Sequence, residues 1–372
     1  MSIAINAAFD SGNIRLIAID GDRIDCEIVS DKDSDFFQWF HFRVSGAKGR
    51  RLTFRILNAG QAAYAFGWPG YRARMSVDRE AWRQVDTDYA DGVLSFRADI
   101  ATDHAWFAYF APYPLERHEA LIARMALAEG VTARQLGTSL DGRSIDCLTL
   151  GTGDKPVWIY ARQHPGESMT EWWMEGALEK LTDPSDAAAR TLRERATLHL
   201  VPNMNPDGSF RGHLRTNAAG VNLNREWHAP SPERSPEVLC VRDEMDRTGV
   251  CVAIDVHGDE AIPANFVAGY EGIPGWTDAH GARLTEYCRR LEAYTPLFQT
   301  ARGYPKTPAG TANLSMSTNQ IAERFGAMAM TLEMPFKDHD PAPDPEHGWS
   351  PDRSKRLAHA MIDVLAGMID EL

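Results

Sequence analysis

Two apolar stretches of this sequence each lead into residues that can bind a metal ion. Residues 157–160 (VWIY) are followed by ARQHPGESM, which places His164 and Glu167 three positions apart. A later apolar stretch, residues 250–256, overlaps the segment DVHGDE at 255–260, which contains His257. Short apolar runs bounded by glycine or proline are typical of buried strands. The fold is therefore constrained to deliver His164, Glu167 and His257 from two strand ends.

The spacing of His164 and Glu167 suits a metal site. A histidine and a carboxylate at i and i+3 can direct a nitrogen and an oxygen at one point if the backbone coils there, as at a strand-to-helix junction. Pro165 and Gly166 suit such a junction. Catalytic zinc takes a third protein ligand from elsewhere and leaves one position for water, so His257 completes the predicted set. A single HxxE pair arises by chance in many chains, which makes the accompanying motifs decisive.

Further motifs accompany this pair along the chain. The pair itself lies in HPGE at 164–167. The other motifs are NPDG at 205–208, the G-x-x-R segment at 212–215, LNREW at 223–227 and TLE at 331–333. Together they resemble the zinc carboxypeptidases of the M14 type, and in particular a bacterial member of the cytosolic carboxypeptidase-like branch. FDSGNIRLI from Phe9 and FFQWFHFRVSG from Phe36 resemble the N-terminal part of that branch. The resemblance covers nearly the whole chain.

The resemblance implies a specific chemistry. It implies one zinc ion per chain, held by His164, Glu167 and His257, and a zinc-activated water that attacks the C-terminal peptide bond of a peptide or protein tail. Glu333 is then the general base, since a carboxylate beside that water can take its proton and pass it to the leaving amine. The apolar strand around Glu333 is expected to raise its pKa. The alternative for Glu333 is a structural ion pair with an arginine.

Four other residues are candidates for contact with the substrate. By the resemblance, Arg215 polarises the carbonyl of the cleaved bond and stabilises the oxyanion. Asn224 and Arg225 are adjacent, and a guanidinium with an amide neighbour can hold a free carboxylate through parallel hydrogen bonds. Tyr304 is the nearest candidate for a tyrosine that many relatives carry on a mobile loop, because no tyrosine occurs between residues 305 and 332.

The sequence departs from the family pattern at one position near the predicted metal site. The family has an acidic residue two positions before the asparagine of LNR, where it orients a zinc histidine, and this chain has Asn222. An amide can accept the imidazole N–H but adds no charge to raise the basicity of the ligand. We therefore expect lower metal affinity, unless another carboxylate such as Asp255 takes this role.

The side-chain preference is less constrained by the sequence. Eukaryotic members of the branch trim glutamates from acidic tails, which would require a basic pocket. Arg302, Lys306 and Arg324 are the candidate pocket cations, and none of them is distinguished by its motif. The chain has 39 basic and 52 acidic residues, a net charge of −13, which repels polyanions outside a local pocket. No nucleic-acid-binding motif is present.

The distribution of cysteines and the N-terminal sequence indicate in which cellular compartment the protein is expected. The five cysteines are scattered and form no CxxC pair, which favours reduced thiols in a cytosol-like environment. The first residues contain no basic segment followed by a long apolar core, and no apolar run of about 18 residues occurs. These patterns predict a cytoplasmic protein without membrane spans; oligomerisation is left open.

Two domains are predicted from the length of 372 residues and the pattern of apolar positions. Residues 1–112 alternate apolar and polar positions in short runs, which indicates an all-β antiparallel sandwich. Trp39, Trp68 and Trp82 there are interpreted as core residues, with ligand stacking as the alternative. Residues 113–372 alternate strands with helices and predict an α/β domain, a mixed sheet with helices on both faces. The helices are placed at 171–181, 187–195, 236–248, 277–292 and 352–372.

Three functions remain open at this level. The first is a zinc metallocarboxypeptidase acting on peptides or protein tails. The second is a zinc hydrolase that cleaves a different amide bond, in murein-derived peptides or N-acyl amino acids. The third is a peptide-binding module without catalysis. The presence of Glu333, Arg215 and the Asn224–Arg225 pair beside three metal ligands favours the first.

Overall fold

The computed structural model describes residues 2–372, and ten short strands occupy the first 108 residues of that range. These strands are β1 (Ala4–Asn6), β2 (Arg15–Asp20), β3 (Arg23–Glu27), β4 (His41–Ser45), β5 (Arg51–Ile56), β6 (Arg74–Ser76), β7 (Arg83–Gln84), β8 (Asp86–Ala90), β9 (Val93–Asp99) and β10 (His104–Ala108). The alternation of buried and exposed residues along β5 and β9 shows that one face of each strand packs inward.

Two five-stranded sheets pack against each other in this region. Their strand orders are β1-β4-β10-β6-β7 and β2-β3-β5-β9-β8. Four phenylalanine rings from both sheets meet in the core between them, at positions 42, 54, 96 and 107. Trp39, Trp68 and Trp82 are buried, as the core interpretation expects. The predicted sandwich is confirmed.

One pair of strands departs from the antiparallel pattern. β3 and β5 pair in parallel, whereas every other strand pair of these two sheets within residues 2–372 is antiparallel. The chain crosses to the other sheet through β4 between them, so that β5 returns to its first sheet in the direction of β3.

The rest of the chain alternates helices and strands. The strands are β11 (Val131–Thr138), β12 (Ser144–Leu150), β13 (Lys155–Ala161), β14 (Ala196–Val201), β15 (Val252–Asp259), β16 (Phe266–Ala268) and β17 (Met328–Pro335). The helices are α1 (Leu115–Ala126), α2 (Met169–Thr182), α3 (Ala187–Arg195), α4 (Pro206–Arg211), α5 (Pro236–Thr248), α6 (Asp278–Tyr294), α7 (Ser317–Phe325) and α8 (Pro351–Ala366). The longest helix, α6, has 17 residues. Across residues 2–372, no helix combines the length and apolarity that a membrane crossing requires.

The seven strands form one mixed sheet in the order β11-β12-β14-β13-β15-β17-β16. The central strands β14, β13, β15 and β17 are parallel, and the outer ones are antiparallel. Every residue of β15 and β17 is buried, as expected when both faces of a parallel sheet are covered. The predicted α/β class with a mixed sheet is therefore confirmed.

The two parts of the chain meet in a buried junction. The carbonyl of Ala111 accepts hydrogen bonds from the Ser168 hydroxyl at 2.9 Å and the Trp172 indole at 3.1 Å. The junction is thus packed against α2 before α1 begins at Leu115. The division of the chain into domains at residue 112 stays a prediction.

A buried histidine in α1 ties this helix to the sheet domain. The Nδ1 of His118 lies 2.8 Å from Glu171 Oε1, and its Nε2 lies 3.6 Å from Asp146 Oδ2. Burial alone would lower the pKa of His118, but the two carboxylates outweigh burial and raise the pKa to about 9. Protonated His118 therefore stabilises the fold fully below its unfolded pKa of 6.5, and this contribution is lost as pH rises through about 9.

We expect stability to fall with pH in a way that depends on His118. Between pH 6 and pH 10 the free energy of unfolding should fall more in the wild type than in His118→Gln. The expected excess is on the order of 3 kcal/mol, at about 1.4 kcal/mol per pKa unit. Urea unfolding of both proteins at the two pH values measures it. Equal losses in the two proteins would show that His118 stays neutral in the folded state.

Candidate active site

Three side chains meet at the carboxyl ends of β13 and β15. His164 and Glu167 follow β13, and His257 lies within β15. The Nδ1 of His164 is 2.7 Å from Glu167 Oε1, and the Nδ1 of His257 is 2.9 Å from Glu167 Oε2. The two Nδ1 atoms are 3.1 Å apart, and all three side chains are buried. The structure thus brings together the three residues that the sequence nominated as metal ligands.

The loop that carries His164 and Glu167 is fixed by its own sequence. Arg162 precedes it with a left-handed φ of 58°, and its buried guanidinium donates to the Pro165 carbonyl at 3.0 Å. Gly166 donates its N–H to the Leu214 carbonyl at 2.9 Å. A Cβ at position 166 would lie only 2.9 Å from that same oxygen, so the close approach requires glycine.

A second layer of residues orients both histidines. The Nε2 of His257 lies 2.9 Å from Asp255 Oδ2, and the Nε2 of His164 lies 3.0 Å from Asn222 Oδ1. Asp255 therefore supports His257 and does not replace Asn222 as the partner of His164. Gln163 holds Asp255 in place by donating to its Oδ2 at 2.7 Å.

These contacts show that the three side chains fit a metal ion. Because both Nε2 atoms face oxygen acceptors, the hydrogen-bond network assigns the proton to Nε2 in the neutral form of each ring, the form that binds a metal. The Nδ1 lone pairs then point, with the carboxylate of Glu167, at one shared position. Two imidazoles and one carboxylate are a known donor set of catalytic zinc, and second-layer oxygens on the far ring nitrogens are its usual support.

Electrostatics favour the ligand form of two of these residues. Burial, together with the positive charge of Arg215, lowers the pKa of His164 to about 4, which keeps this imidazole neutral. Burial acts to raise the pKa of Glu167, but the adjacent imidazoles of His164 and His257, which contact both of its carboxylate oxygens, outweigh burial and lower it. Glu167 is therefore ionised. A neutral imidazole and a carboxylate are the states that bind metal.

Glu333 lies opposite His257 on the neighbouring strand. The two residues are partners in the register of β15 and β17. Burial raises the pKa of Glu333, and the negative charge of Glu167 adds to this effect, while the charge of His257 opposes it. Within residues 2–372, no arginine or lysine pairs with Glu333, and its Oε2 is buried without a hydrogen-bond partner. The ion-pair alternative for Glu333 therefore does not match the structure.

The backbone of Arg215 is held by the N-terminal sandwich. The buried carboxylate of Asp31 accepts from three successive N–H groups, those of Leu214 (2.7 Å), Arg215 (2.8 Å) and Thr216 (2.9 Å). The guanidinium carbon of Arg215 lies 5.4 Å from the ring centre of Tyr64 and 5.7 Å from that of Phe36. Among the described residues no carboxylate lies within salt-bridge distance of it. The guanidinium is positioned by aromatic rings and keeps its donors free.

Asn224 and Arg225 line the same cavity. The Oδ1 of Asn224 accepts from the Ser317 N–H at 2.9 Å, so this oxygen is occupied and the amide NH2 group stays free. Arg225 donates to the Asn224 carbonyl at 2.6 Å and likewise has no acidic partner among residues 2–372. Burial lowers the pKa of Arg225, and the nearby charge of Arg215 adds to this. Two adjacent guanidinium groups without counter-ions are suited to bind an anion.

Tyr304 reaches the same site from a loop. Its hydroxyl donates to Asp259 Oδ2 at 2.7 Å and lies 3.4 Å from Glu333 Oε1. Its ring packs edge-on against Phe266, with 4.9 Å between the centres. The side chain is half-exposed at 49%. Tyr304 is thus adjacent to Glu333, although nothing in its position shows movement.

The candidate pocket cations are already paired. Arg302 contacts Asp340 at 2.6 Å, and Lys306 lies 3.8 Å from a carboxylate oxygen of Glu271. Arg324 pairs with Asp246 at 2.6 Å and does not line the cavity. These three residues therefore give no sign of a basic pocket for glutamate.

A cavity of about 970 Å³, lined by both parts of the chain, joins the three candidate metal ligands to Arg215, Asn224, Arg225, Tyr304 and Glu333. Several residues that line this cavity or support its lining belong to no sequence motif that indicates a role. They are Asp31 and Tyr64 from the sandwich, Gln163 beside His164, and Asp259 and Glu260 at the end of β15. Only Asp259 and Glu260, in the segment DVHGDE after a predicted strand, could have been nominated from their position.

The amide at position 222 offers a direct test of the second layer. We expect Asn222→Asp to tighten zinc binding about tenfold, because a carboxylate on His164 Nε2 raises the basicity of the ligand. Competition with a chelator of known affinity measures the zinc dissociation constant. The control is Asn6→Asp, which adds the same charge at an exposed residue in β1. Unchanged or weaker binding in Asn222→Asp would show that the amide already serves His164 fully.

Comparison with known protein families gives two matches along the chain. A family model described as the cytosolic carboxypeptidase N-terminal domain matches residues 5–110. A second, described as zinc carboxypeptidase, matches residues 123–262 and so includes His164, Glu167 and His257. Glu333 lies beyond the matched range.

Solved structures are similar over the whole chain. A metallo-carboxypeptidase from Pseudomonas aeruginosa, in complex with (2-guanidinoethylmercapto)succinic acid, is 46% identical; the match covers 99% of both chains with a TM-score of 0.96. A metallo-carboxypeptidase from Burkholderia cenocepacia is 41% identical over 100% of both chains, with a TM-score of 0.97. Cytosolic carboxypeptidase 1 of Gallus gallus is 30% identical over 63% of this chain, which spans 23% of that longer protein.

Proposed function

The chain belongs to the zinc carboxypeptidases, in the branch of the cytosolic carboxypeptidases, and on that premise we propose that it releases single residues from the free C-termini of peptides or flexible protein tails. As a metallocarboxypeptidase it is a hydrolase. The proposal rests on one observation: a candidate metal site and two guanidinium groups that can bind an anion line one cavity. Arg215 and Arg225, without acidic partners, line the same space as the cluster of His164, Glu167 and His257.

Zinc would be held by His164, Glu167 and His257, one ion per chain. When bound, zinc acts as a Lewis acid that polarises a carbonyl and lowers the pKa of a bound water towards about 7. The chain contributes the fixed positions of these ligands, which Asp255 and Asn222 orient through the far ring nitrogens of the two histidines.

The free carboxylate of the substrate would bind to Asn224 and Arg225. The amide NH2 group of Asn224 and the guanidinium of Arg225 are both free to donate to it. The ligand of the Pseudomonas relative is a succinic acid and so carries carboxyl groups that such donors recognise. An amidated or extended chain end would leave the buried amide of Asn224 without an acceptor and Arg225 without a counter-ion, which explains why only free ends would be cut.

Two residues would act on the cleaved bond itself. Glu333 takes a proton from the attacking water and passes it to the nitrogen of the departing residue, and its raised pKa makes it a stronger base. Arg215 donates hydrogen bonds to the carbonyl oxygen as negative charge develops there, a contribution of about 3 to 4 kcal/mol in comparable sites. Tyr304 would turn its hydroxyl from Asp259 to donate to the bound peptide beside Glu333.

The decisive experiment joins metal analysis to product identification. The purified protein is analysed for metals and then incubated with matched peptides that have free or amidated C-termini. We expect one zinc per chain and loss of one residue at a time from the free ends only. Removing the metal with a chelator should abolish the loss, and added zinc should restore it.

Other outcomes would redirect the assignment. If zinc is bound but no residue is released from any peptide, the second function is favoured, hydrolysis of murein-derived peptides or N-acyl amino acids. Assays with those two substrate classes test it directly. Equal cleavage of free and amidated ends would refute the role of Asn224 and Arg225 in binding a carboxylate.

A further inference from the structure

An aromatic segment of the N-terminal sandwich forms one wall of the catalytic cavity. Tyr64 and Phe66 lie on a short stretch between β5 and β6 and line the cavity together with Arg215 and Glu260. Phe66 is 68% exposed although it is a large apolar residue. Its ring packs edge-on against that of Tyr64, with 6.0 Å between the centres, so the two rings form one aromatic surface beside the cavity.

This aromatic wall is held rigidly in place. Tyr64 donates its N–H to the Gln38 side chain at 2.8 Å, and the Gln38 amide donates back to the Tyr64 carbonyl at 3.3 Å. Gly67 packs directly on the segment after β15, because a Cβ there would lie 2.8 Å from the Glu260 carbonyl oxygen. The ring of Tyr64 also stacks with Arg215. A preorganised surface of this kind loses little entropy when a ligand binds.

Glu260 adds a polar group to the same wall. Its side chain is 8% exposed, and its carboxyl receives no hydrogen bond or ion pair from any other described residue. Because Glu260 lines the cavity, its carboxyl is open to a donor from a bound molecule.

The direction of the substrate in the cavity follows from burial. His257 and Asn224, between which the cleaved bond and the last residue would lie, are only 2% and 5% exposed, so the bond to be cleaved lies deep. The rest of the peptide must lead outwards to solvent. The exposed position of Phe66 places it on that outward path. Another stretch of the cavity lining, at residues 300–307, is mostly polar and includes Arg302 and Lys306.

We propose that Tyr64, Phe66 and Glu260 form a binding site for the two residues that precede the cleaved bond. An apolar or aromatic side chain of the substrate packs on the two rings, and a peptide N–H of the substrate donates to the Glu260 carboxyl. The proposal rests on the proposed function and deepens it. The N-terminal sandwich thereby selects tails that carry a large apolar residue next to their C-terminus.

The test compares blocked peptides that share a cleavable C-terminal residue. One series carries phenylalanine and the other serine, at each of the two preceding positions in turn. In the wild type we expect kcat/KM to favour phenylalanine by roughly tenfold at one of these positions, as is typical of apolar subsites. In Phe66→Ser this preference should fall to within about twofold. The control is Leu127→Ser, at an apolar residue 89% exposed outside the cavity, which should keep the full preference.

A second measurement addresses Glu260. Methylation of the substrate nitrogen that donates to it should lower kcat/KM about tenfold in the wild type, as for one lost buried hydrogen bond. In Glu260→Leu the same methylation should have little effect. Zinc content and Tm are measured for each variant, so that loss of metal or fold is distinguished from loss of the contact.

The outcomes separate this proposal from the proposed function. Cleavage of both series at equal rates, or an unchanged preference in Phe66→Ser, would overturn the subsite while leaving the carboxypeptidase intact. If the wild type cleaves no peptide, the proposed function fails, and calorimetric binding of the same two series still tests the subsite. Tighter binding of the phenylalanine series in the wild type but not in Phe66→Ser would then support it, and equal binding would refute it.

Discussion

Replacing Glu333 with glutamine is expected to lower kcat about a thousandfold, within the range of about 10²–10⁴ for loss of a general base. Glutamine keeps the size of the side chain and its neighbours in β17 but cannot accept the proton of the attacking water. The contact between Glu333 and Tyr304 can still form, so KM should change little. Steady-state kinetics on the peptide found to be cleaved, with zinc analysis of the same samples, measures both effects.

The control for this substitution is Glu179→Gln, an equally conservative change on the outer side of α2, where Glu179 contacts Lys355. It should keep wild-type kcat. Residual activity near the wild-type value in Glu333→Gln, with zinc bound, would refute the role of Glu333 as base. Loss of zinc together with activity would instead indicate that Glu333 supports the metal site.

Replacing Asp31 with asparagine is expected to lower kcat/KM about a hundredfold, toward the loss seen when an oxyanion donor is removed. Asp31 lies in the N-terminal sandwich and touches no predicted reacting group, but its carboxylate accepts from the backbone at 214, 215 and 216. An amide offers one acceptor oxygen and turns an NH2 group toward backbone donors. The segment that carries Arg215 would therefore shift.

A double-mutant cycle distinguishes this positioning effect from general damage. Asp31→Asn is made in the wild type and in Arg215→Ala, and kcat/KM is compared below the thermal transition. If Asp31 acts through Arg215, its substitution should cost little once the guanidinium is gone. Full additivity of the two losses would contradict the role. Asp35→Asn, at an exposed residue of the same loop, should leave both activity and Tm unchanged.

Short-range patterns predicted most of the secondary structure near the site. The stretch at 187–195 was predicted as a helix and is α3 (Ala187–Arg195), and the stretch at 277–292 corresponds to α6 (Asp278–Tyr294). The apolar runs before His164 and around His257 are β13 and β15. However, His257 lies inside its strand and not after it, because β15 continues to Asp259. The apolar pattern ends at Val256 since the later residues face the cavity.

The helix α7 (Ser317–Phe325) was not predicted, for a physical reason. Its buried face is largely polar, with Thr318, Asn319 and Gln320. The helix is also only nine residues long, shorter than the about 10 to 12 residues over which apolar periodicity distinguishes a helix from a strand. Its start is fixed instead by contacts in the site, where the Ser317 hydroxyl donates to Asp255 and its N–H donates to Asn224.

The residues contributed by the sandwich are the part of the site that sequence reasoning missed. Asp31 is an ordinary acidic residue in a polar loop, and its partners lie more than 180 residues away. Tyr64 and Phe66 belong to a stretch with no strand pattern. A motif identifies residues that take part in one reaction. The contacts of Asp31, Tyr64 and Phe66 with the site depend instead on how the sandwich packs against the α/β domain, which no motif encodes.

The tight contact at Gly67 has a consequence for how this sequence can change over generations. Any side chain at that position would press on the backbone after β15, with the Glu260 carbonyl only 2.8 Å from its first carbon. A gene that exchanged its N-terminal segment for that of a distant relative would therefore inherit a misfit beside the catalytic residues. The two segments are expected to share one ancestry and to accumulate substitutions in matched pairs across this seam.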